Sequence, residues 1–234
     1  MTKLELKNIR HSFGSNSVLN AINLTLSEGE FITILGPSGS GKSTLFNIIG
    51  GLLIPTSGSV LLEGQDITGS KGHVAYMPQS PSLMPWRTVD ENIQLGREIK
   101  GQVDRARMDD LLQRSGFADI KDQYPDSLSG GMKQRVSFLR ALNTPGELML
   151  LDEPFSALDE ITRIDMQRWL KEILEVEKRT ILMITHSIDE AIKLSDKIVV
   201  LEGKPATIHQ AIDVRYISET AEITLKQQLL ELLR

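Results

Sequence analysis

Apolar and polar positions along the chain follow two rhythms, and the changes between them mark out most of the elements. Leu4-Glu5-Leu6-Lys7-Asn8-Ile9 and Ile22-Asn23-Leu24-Thr25-Leu26 alternate with period two, the pattern of half-buried antiparallel strands. Phe31-Ile32-Thr33-Ile34-Leu35, Leu148-Met149-Leu150-Leu151 and Thr180 to Thr185 are short unbroken apolar runs, which predict buried strands. Ser59 to Leu62, Val74 to Pro78, Lys197 to Leu201 and Ala206 to Ile208 predict further strands. Helical spacing begins at Leu45, and between Val89 and Gly116 it predicts two helices, one opening at Asp90-Glu91-Asn92-Ile93 and one over Asp104 to Ser115. It returns at Val136 to Ala141, and again where Met166, Leu170, Ile173 and Leu174 fall at i, i+4, i+7 and i+8. Ser187-Ile188-Asp189-Glu190 is a capping-box pattern opening another helix. Leu225, Leu229 and Leu232 predict a packed terminal helix rather than a membrane anchor. At 234 residues the chain can bury a sizeable core, and one α/β unit is the expectation.

Between the run ending at Leu35 and the helix starting at Leu45 lies Gly36-Pro37-Ser38-Gly39-Ser40-Gly41-Lys42-Ser43-Thr44, which satisfies G-x-x-x-x-G-K-[ST]. Strand, glycine loop and helix stand in the order that a phosphate site requires. The glycines let the backbone approach an anion and take positive φ, while the first helical turn points its unpaired N–H groups at the same place. Lys42 adds a mobile positive charge, the Ser43 hydroxyl is of the kind that ligates Mg²⁺, and Thr44 is placed for an inner phosphate.

Further chemistry is carried by polar residues at element boundaries. Asp152-Glu153 ends the apolar run from Leu148; in a strand neighbouring the phosphate loop, the first carboxylate can hold Mg²⁺ or its water and the second can orient an attacking water. Leu128-Ser129-Gly130-Gly131-Met132-Lys133-Gln134-Arg135 places a hydroxyl and two glycines before a helix, a second anion site of the helix-terminus kind. One phosphate loop with two such sites raises the possibility of a nucleotide shared between two copies. Ser156-Ala157-Leu158-Asp159 turns into the next helix, and His186 stands at a strand-to-helix junction where an imidazole could donate to a γ-phosphate oxygen. Gln79 follows a strand; it could reach a metal or its water, or be a solvated loop residue. Phe13, in a loop read as Phe13 to Val18, could stack on a flat base or cap the small sheet. Met84 and Trp86, in a proline-rich segment, mark a partner surface or the packing of the helical insertion. His11, His73 and His209 read as surface or loop residues.

Composition narrows the setting. Without cysteine there is neither a disulfide framework nor a thiolate metal site, which fits a reducing compartment. The net charge of -5 disfavours broad nucleic-acid binding. No apolar run approaches the roughly twenty residues that cross a bilayer, and the N-terminus lacks the apolar stretch of a signal peptide, so the chain is expected to stay in the cytoplasm.

In their order along the chain, the phosphate loop, Gln79, Leu128 to Arg135, Asp152-Glu153, Ser156 to Asp159 and His186 resemble the nucleotide-binding subunit of ABC transporters, and the resemblance covers nearly the whole sequence. It implies a P-loop, RecA-like parallel sheet with an antiparallel β subdomain and a helical insertion, a single domain over residues 1–234 with the helical subdomain at about 80–145 and a helical tail at about 217–234. It implies an ATPase that uses ATP and Mg²⁺. Lys42 and Thr44 would hold phosphates, Ser43, Gln79 and Asp152 would serve Mg²⁺, Glu153 would polarise the water and His186 would contact the γ-phosphate. Ser129, Gly130 and Gly131 would act on the partner's ATP, Ser156 and Asp159 would belong to the loop after the carboxylates, and Phe13, with Val18 beside it, would take the adenine-stacking position. The implied partners are a second copy on ATP binding, an integral membrane permease and an extracytoplasmic solute-binding protein, with the chain on the cytoplasmic face of the membrane. Leu83 to Val89, Met132 and the leucine-rich tail resemble the nitrate, sulfonate and taurine importer branch. Arg135 to Arg140 and the short Asp66 to His73 segment depart from the usual pattern, so no solute is carried over. Two rivals are an ABC-type ATPase that moves no solute and a P-loop kinase. A tandem nucleotide domain, a coiled-coil insertion or a basic stripe would favour the first; the second gives Ser129-Gly130-Gly131 no purpose.

Overall fold

The computed structural model describes residues 1–146 and 148–233, which fall into two units, Met1–Val74 with Arg179–Arg234, and Ala75–Lys178. The first unit opens with a hairpin of β1 (Thr2–Phe13) and β2 (Asn16–Ser27), then β3 (Phe31–Leu35), α1 (Lys42–Ile49), β4 (Ser57–Leu62) and β5 (Gln65–Asp66). An antiparallel sheet in the order β2-β1-β4-β5 results. The period-two pattern is realised directly: Leu4 pairs with Leu26 and Leu6 with Leu24, all buried on one face. The loop expected from Phe13 to Val18 is instead nearly all strand. Phe13 pairs with Asn16, and only Gly14, at φ +59°, and Ser15 make the turn, because glycine allows the tight reversal without a Cβ penalty. His11 also departs from expectation. It pairs with Leu19 within the hairpin and is 6% exposed, and its ring nitrogens have no hydrogen-bond partner among the described residues.

The second unit holds β6 (Ala75–Met77), α2 (Val89–Ile99), α3 (Arg105–Ser115), α4 (Gly130–Asn143), β7 (Leu148–Asp152) and α5 (Glu160–Val176), with β6 and β7 parallel. Its helices start where side chains satisfy the first-turn N–H groups. Thr88 and Glu91 form a full capping box on α2, and Asp104, Ser129 and Asp159 cap α3, α4 and α5. Because Ser129 is the cap, Gly130 and Gly131 are the first residues of α4 rather than a loop ahead of it. Met166, Leu170 and Ile173 are buried as their spacing predicts, and Leu174 is half-buried. Trp169 is buried beside them, its ring edge-on to Phe138 at 5.4 Å with the Arg135 guanidinium over it at 5.2 Å.

The chain then returns to the first unit with β8 (Thr180–Thr185), α6 (Ile188–Leu194), β9 (Lys197–Glu202), β10 (Thr207–Asp213) and α7 (Glu219–Leu232). β3 lies between β8 and β9, parallel to both, and β10 runs antiparallel on β9. All five residues of β3 and all six of β8 are buried, as strands covered on both faces must be. The strand beside the phosphate loop is therefore β8, and not β7 as the apolar run at Leu148 suggested, since both edges of β3 are taken. Leu225 and Leu229 of α7 pack with Ile188, Ile192, Ile198 and Val214, so the terminal helix is built into the core of its unit. Among the described residues, no helix is long and apolar enough to cross a membrane.

Candidate active site

In the first unit, the phosphate loop joins the end of β3 to α1. Gly41 stands at the N-cap of α1 with φ +83°, a conformation that strains any residue with a Cβ, and no side chain caps the helix. A Cβ at Gly41 would lie 2.9 Å from both Leu19 Cδ2 and Val18 Cγ1, and one at Gly36 would lie 2.8 Å from Ser40 Oγ and 3.0 Å from the Leu201 carbonyl. Glycine is thus required at both ends of the loop. The first turn of α1 carries no acidic residue, which leaves its positive end for an anion. Lys42 is 6% exposed, and its Nζ donates to the carbonyls of Gly36 (2.8 Å) and Pro37 (2.9 Å), so the ammonium lies folded across the loop. Ser40 is buried and its hydroxyl has no protein partner among the described residues, as expected of a loop shaped around a ligand.

His186 belongs to the same unit. Leu35 and Thr185 are register partners in the parallel β3–β8 pair, so Gly36 and His186 are the next residues out at one edge of the sheet, and His186 is exposed there. Its surroundings are fixed by Thr185, whose hydroxyl donates to the Glu190 carboxylate and accepts from the Ser187 N–H at 3.1 Å. Ser187 caps α6 by accepting from the Glu190 N–H, the expected half of the capping box, while the Glu190 side chain reaches Thr185. Val18 borders the loop through its contact side toward Gly41, and its carbonyl accepts from the Ala206 N–H at 2.8 Å. Phe13 is 54% exposed, with His11 edge-on beneath it at 4.6 Å, an open ring face suited to stacking.

The carboxylates of the second unit form a tight turn after β7. Asp152 is buried and accepts from the Tyr76 hydroxyl at 3.0 Å; burial, and then the Asp152 charge, push the Tyr76 phenol far above its ordinary range and keep it a donor. Glu153 takes a left-handed φ of +44°, rare for a residue with a Cβ and a sign of a turn held by its surroundings. Those surroundings are specific. The Gln79 amide donates to Glu153 Oε2 at 3.1 Å and to Ser156 Oγ at 3.3 Å, and Ser156 Oγ donates to the Glu153 carbonyl at 3.1 Å. Gln79 is exposed, yet it is bonded to the candidate base rather than left to solvent. Ser129 accepts from the Met132 N–H at 3.3 Å, and Asp159 accepts from the Thr162 N–H at 3.1 Å and from its hydroxyl at 2.6 Å.

Four residues with no site role in the sequence reading support this second cluster. Buried Gln134 donates from α4 to the Pro154 carbonyl at 2.7 Å, directly behind Glu153. Arg140 donates to the carbonyls of Pro81 (2.7 Å) and Ser82 (2.8 Å) and so holds the segment after Gln79; burial pulls its guanidinium below the ordinary range. Fully buried Asn92 pins the proline-rich segment through Met84, Arg87 and Thr88, leaving Trp86 71% exposed. Thr162 links Asp159 to α5. A glutamine, arginine or asparagine inside a helix carries no local sign that it will meet a backbone carbonyl from another element.

One family's sequence pattern, that of the ABC transporter, matches residues 19–156, a span that holds the phosphate loop, the carboxylate pair and the Ser129-Gly130-Gly131 segment. The chain belongs to the ABC transporter family. An uncharacterized ABC transporter ATP-binding protein of Methanocaldococcus jannaschii is 42% identical to it, over 91% of this chain and 82% of that protein. The aliphatic sulfonates import ATP-binding protein of Bacillus licheniformis is also 42% identical, over 85% and 78% of the two chains. Among solved structures, a dimeric ATP-binding cassette in a post-hydrolysis state, bound to ADP and inorganic phosphate, superposes with a TM-score of 0.76 at 31% identity, covering 92% of this chain and 100% of that one. The chain is an ABC-type ATPase with the P-loop fold, the ATP-binding subunit of a transporter, and the likeness to the sulfonate importer branch expected from the sequence holds.

Proposed function

We propose that the chain drives import of a small solute of the nitrate, sulfonate and taurine type, closing as a homodimer around two ATP molecules and reopening on their hydrolysis. The observation that carries this reading is the Glu153 turn, a carboxylate held at a left-handed φ by Gln79 and Ser156. Glu153 is assigned as the residue that polarises the attacking water, and Lys42, with the loop from Gly36 to Gly41 and Thr44, as the phosphate clamp. His186 is assigned to the γ-phosphate, and Phe13 with Val18 to the adenine. Ser129, Gly130 and Gly131 act on the nucleotide of the second copy, with Ser156 and Asp159 beside that contact. The donors assigned to Mg²⁺ are Ser43, Gln79 and Asp152. They are oxygen donors, the ligand type this ion prefers. Such a set fits an ion that shares its shell with nucleotide phosphates, where it would neutralise charge as the terminal phosphate leaves.

The partners proposed are an integral membrane permease, engaged through the Gln79 to Arg87 region and the helical insertion, and an extracytoplasmic solute-binding protein, with the chain peripheral on the cytoplasmic face. The name of the sulfonate-importing relative and the exposure of Trp86 support the permease. Purification of the natively expressed, affinity-tagged chain from detergent-solubilised membranes tests this. A stoichiometric polytopic membrane protein is the expected companion; a reproducible set of soluble partners with no membrane subunit overturns transport in favour of a soluble mechanical role.

A further inference from the structure

We infer that Thr162 is a positioning residue that ties the Ser129-Gly131 turn to the Ser156-Asp159 loop, so that engagement of one by a second copy's nucleotide is passed to the other; this rests on the dimer reading above. Thr162 lies in the first turn of α5 and is half-buried. Its two branches point to two different functional segments. The hydroxyl donates to Asp159 Oδ2 at 2.6 Å, and together with the N–H bond to Oδ1 at 3.1 Å it holds both carboxylate oxygens. The methyl occupies the space beside Gly131, since a Cβ built there would meet Thr162 Cγ2 at 2.6 Å, whereas one on neighbouring Gly130 would meet nothing. Gly131 therefore has a requirement that Gly130 lacks, and Thr162 sets it.

From Asp159 the connection continues to the catalytic turn within the same unit. The Arg163 guanidinium donates to the Leu158 carbonyl at 2.9 Å, Ser156 Oγ donates to the Glu153 carbonyl at 3.1 Å, and Gln79 bonds both Ser156 and Glu153. The two hydrogen bonds on Asp159 keep its carboxyl below the usual carboxylate range, so it remains an acceptor throughout. A β-branched residue with one polar and one apolar arm is the side chain that makes both contacts at once. Serine keeps only the hydroxyl, and valine keeps only the methyl.

The test compares Thr162→Val and Thr162→Ser in the full chain, measuring steady-state ATP hydrolysis, its cooperativity in ATP, ATP-dependent dimerisation, calorimetric ATP binding and melting temperature. In Thr162→Val, kcat is expected to fall about tenfold, the rate equivalent of one hydrogen bond to a charged group, with lost cooperativity and unchanged ATP affinity. Thr162→Ser is expected to lose kcat and cooperativity as well, because the contact with Gly131 is gone. Wild-type kcat and cooperativity in either variant overturns the inference, as does a loss confined to melting temperature. A wild-type chain that neither dimerises with ATP nor hydrolyses it defeats the dimer reading itself, which separates the two failures.

Discussion

Glu153→Gln is the most informative single change, because the structure separates what it removes from what it keeps. The glutamine side chain matches glutamate in size, and its carbonyl oxygen can still accept the Gln79 amide hydrogen that now reaches Glu153 Oε2 at 3.1 Å. The bonds that the Ser156 hydroxyl and N–H donate to the residue 153 carbonyl, at 3.1 and 3.2 Å, are untouched. Stability should therefore change by less than about 1 kcal/mol, the scale of one weakened exposed hydrogen bond. What is lost is the basic oxygen at the end of β7. A positioned general base contributes about 10²- to 10⁴-fold, or roughly 3 to 5 kcal/mol of transition-state stabilisation. Phosphate release should fall by that factor while calorimetric ATP binding persists, and size-exclusion chromatography with ATP should show a trapped dimer. Unchanged hydrolysis in a variant with wild-type melting temperature would remove Glu153 from the chemistry and move the search for the water-orienting group elsewhere.

Three other perturbations have defined outcomes. Gly41→Ala places a Cβ at φ +83° against Val18 and Leu19; the backbone term alone costs about 1–2 kcal/mol, read as a lower melting temperature together with weaker ATP binding. Leu229→Ala empties a fully buried position under α7 and should cost about 2–5 kcal/mol in denaturant unfolding, whereas exposed Leu230→Ala should cost little. Glu177 opposes burial, which raises its pKa, with hydrogen bonds and charge from Arg107 and Arg114 that bring it below the ordinary value. Its contribution is present above the unfolded-state value of about 4.3 and is lost as pH falls through the lower folded one. Glu177→Gln should thus destabilise the chain by about 2 kcal/mol at pH 7, with the gap to wild type closing below pH of about 4 in chemical-denaturation series.

The parts of the site legible in the sequence are those whose chemistry is contiguous. The phosphate loop is nine consecutive residues in which the glycines that shape the backbone and the lysine and hydroxyl side chains stand together, and the structure adds only the reasons, such as the Val18 methyl against Gly41. The helix caps at Ser129, Asp159 and Ser187 are local in the same sense. The burial of His11 is not legible in this way, because a single histidine has no periodic signature. Its burial follows from the register of β1 on β2, which a two-residue turn at Gly14-Ser15 fixes and a loop from Phe13 to Val18 would not.

The elements and the candidate groups are legible along the chain, because hydrophobic period and turn chemistry act between residues a few positions apart. Partnership between those groups is settled by the folded chain. β8 rather than β7 flanks β3, Gln79 meets Glu153 across 74 positions of chain, Gln134 and Arg140 hold carbonyls on the loops that follow the two strands of their unit, and Thr162 lies against Gly131. Each of these is a contact between segments distant in sequence, where the energy comes from satisfying a buried or strained group and the pattern along the chain carries no record of which group that will be.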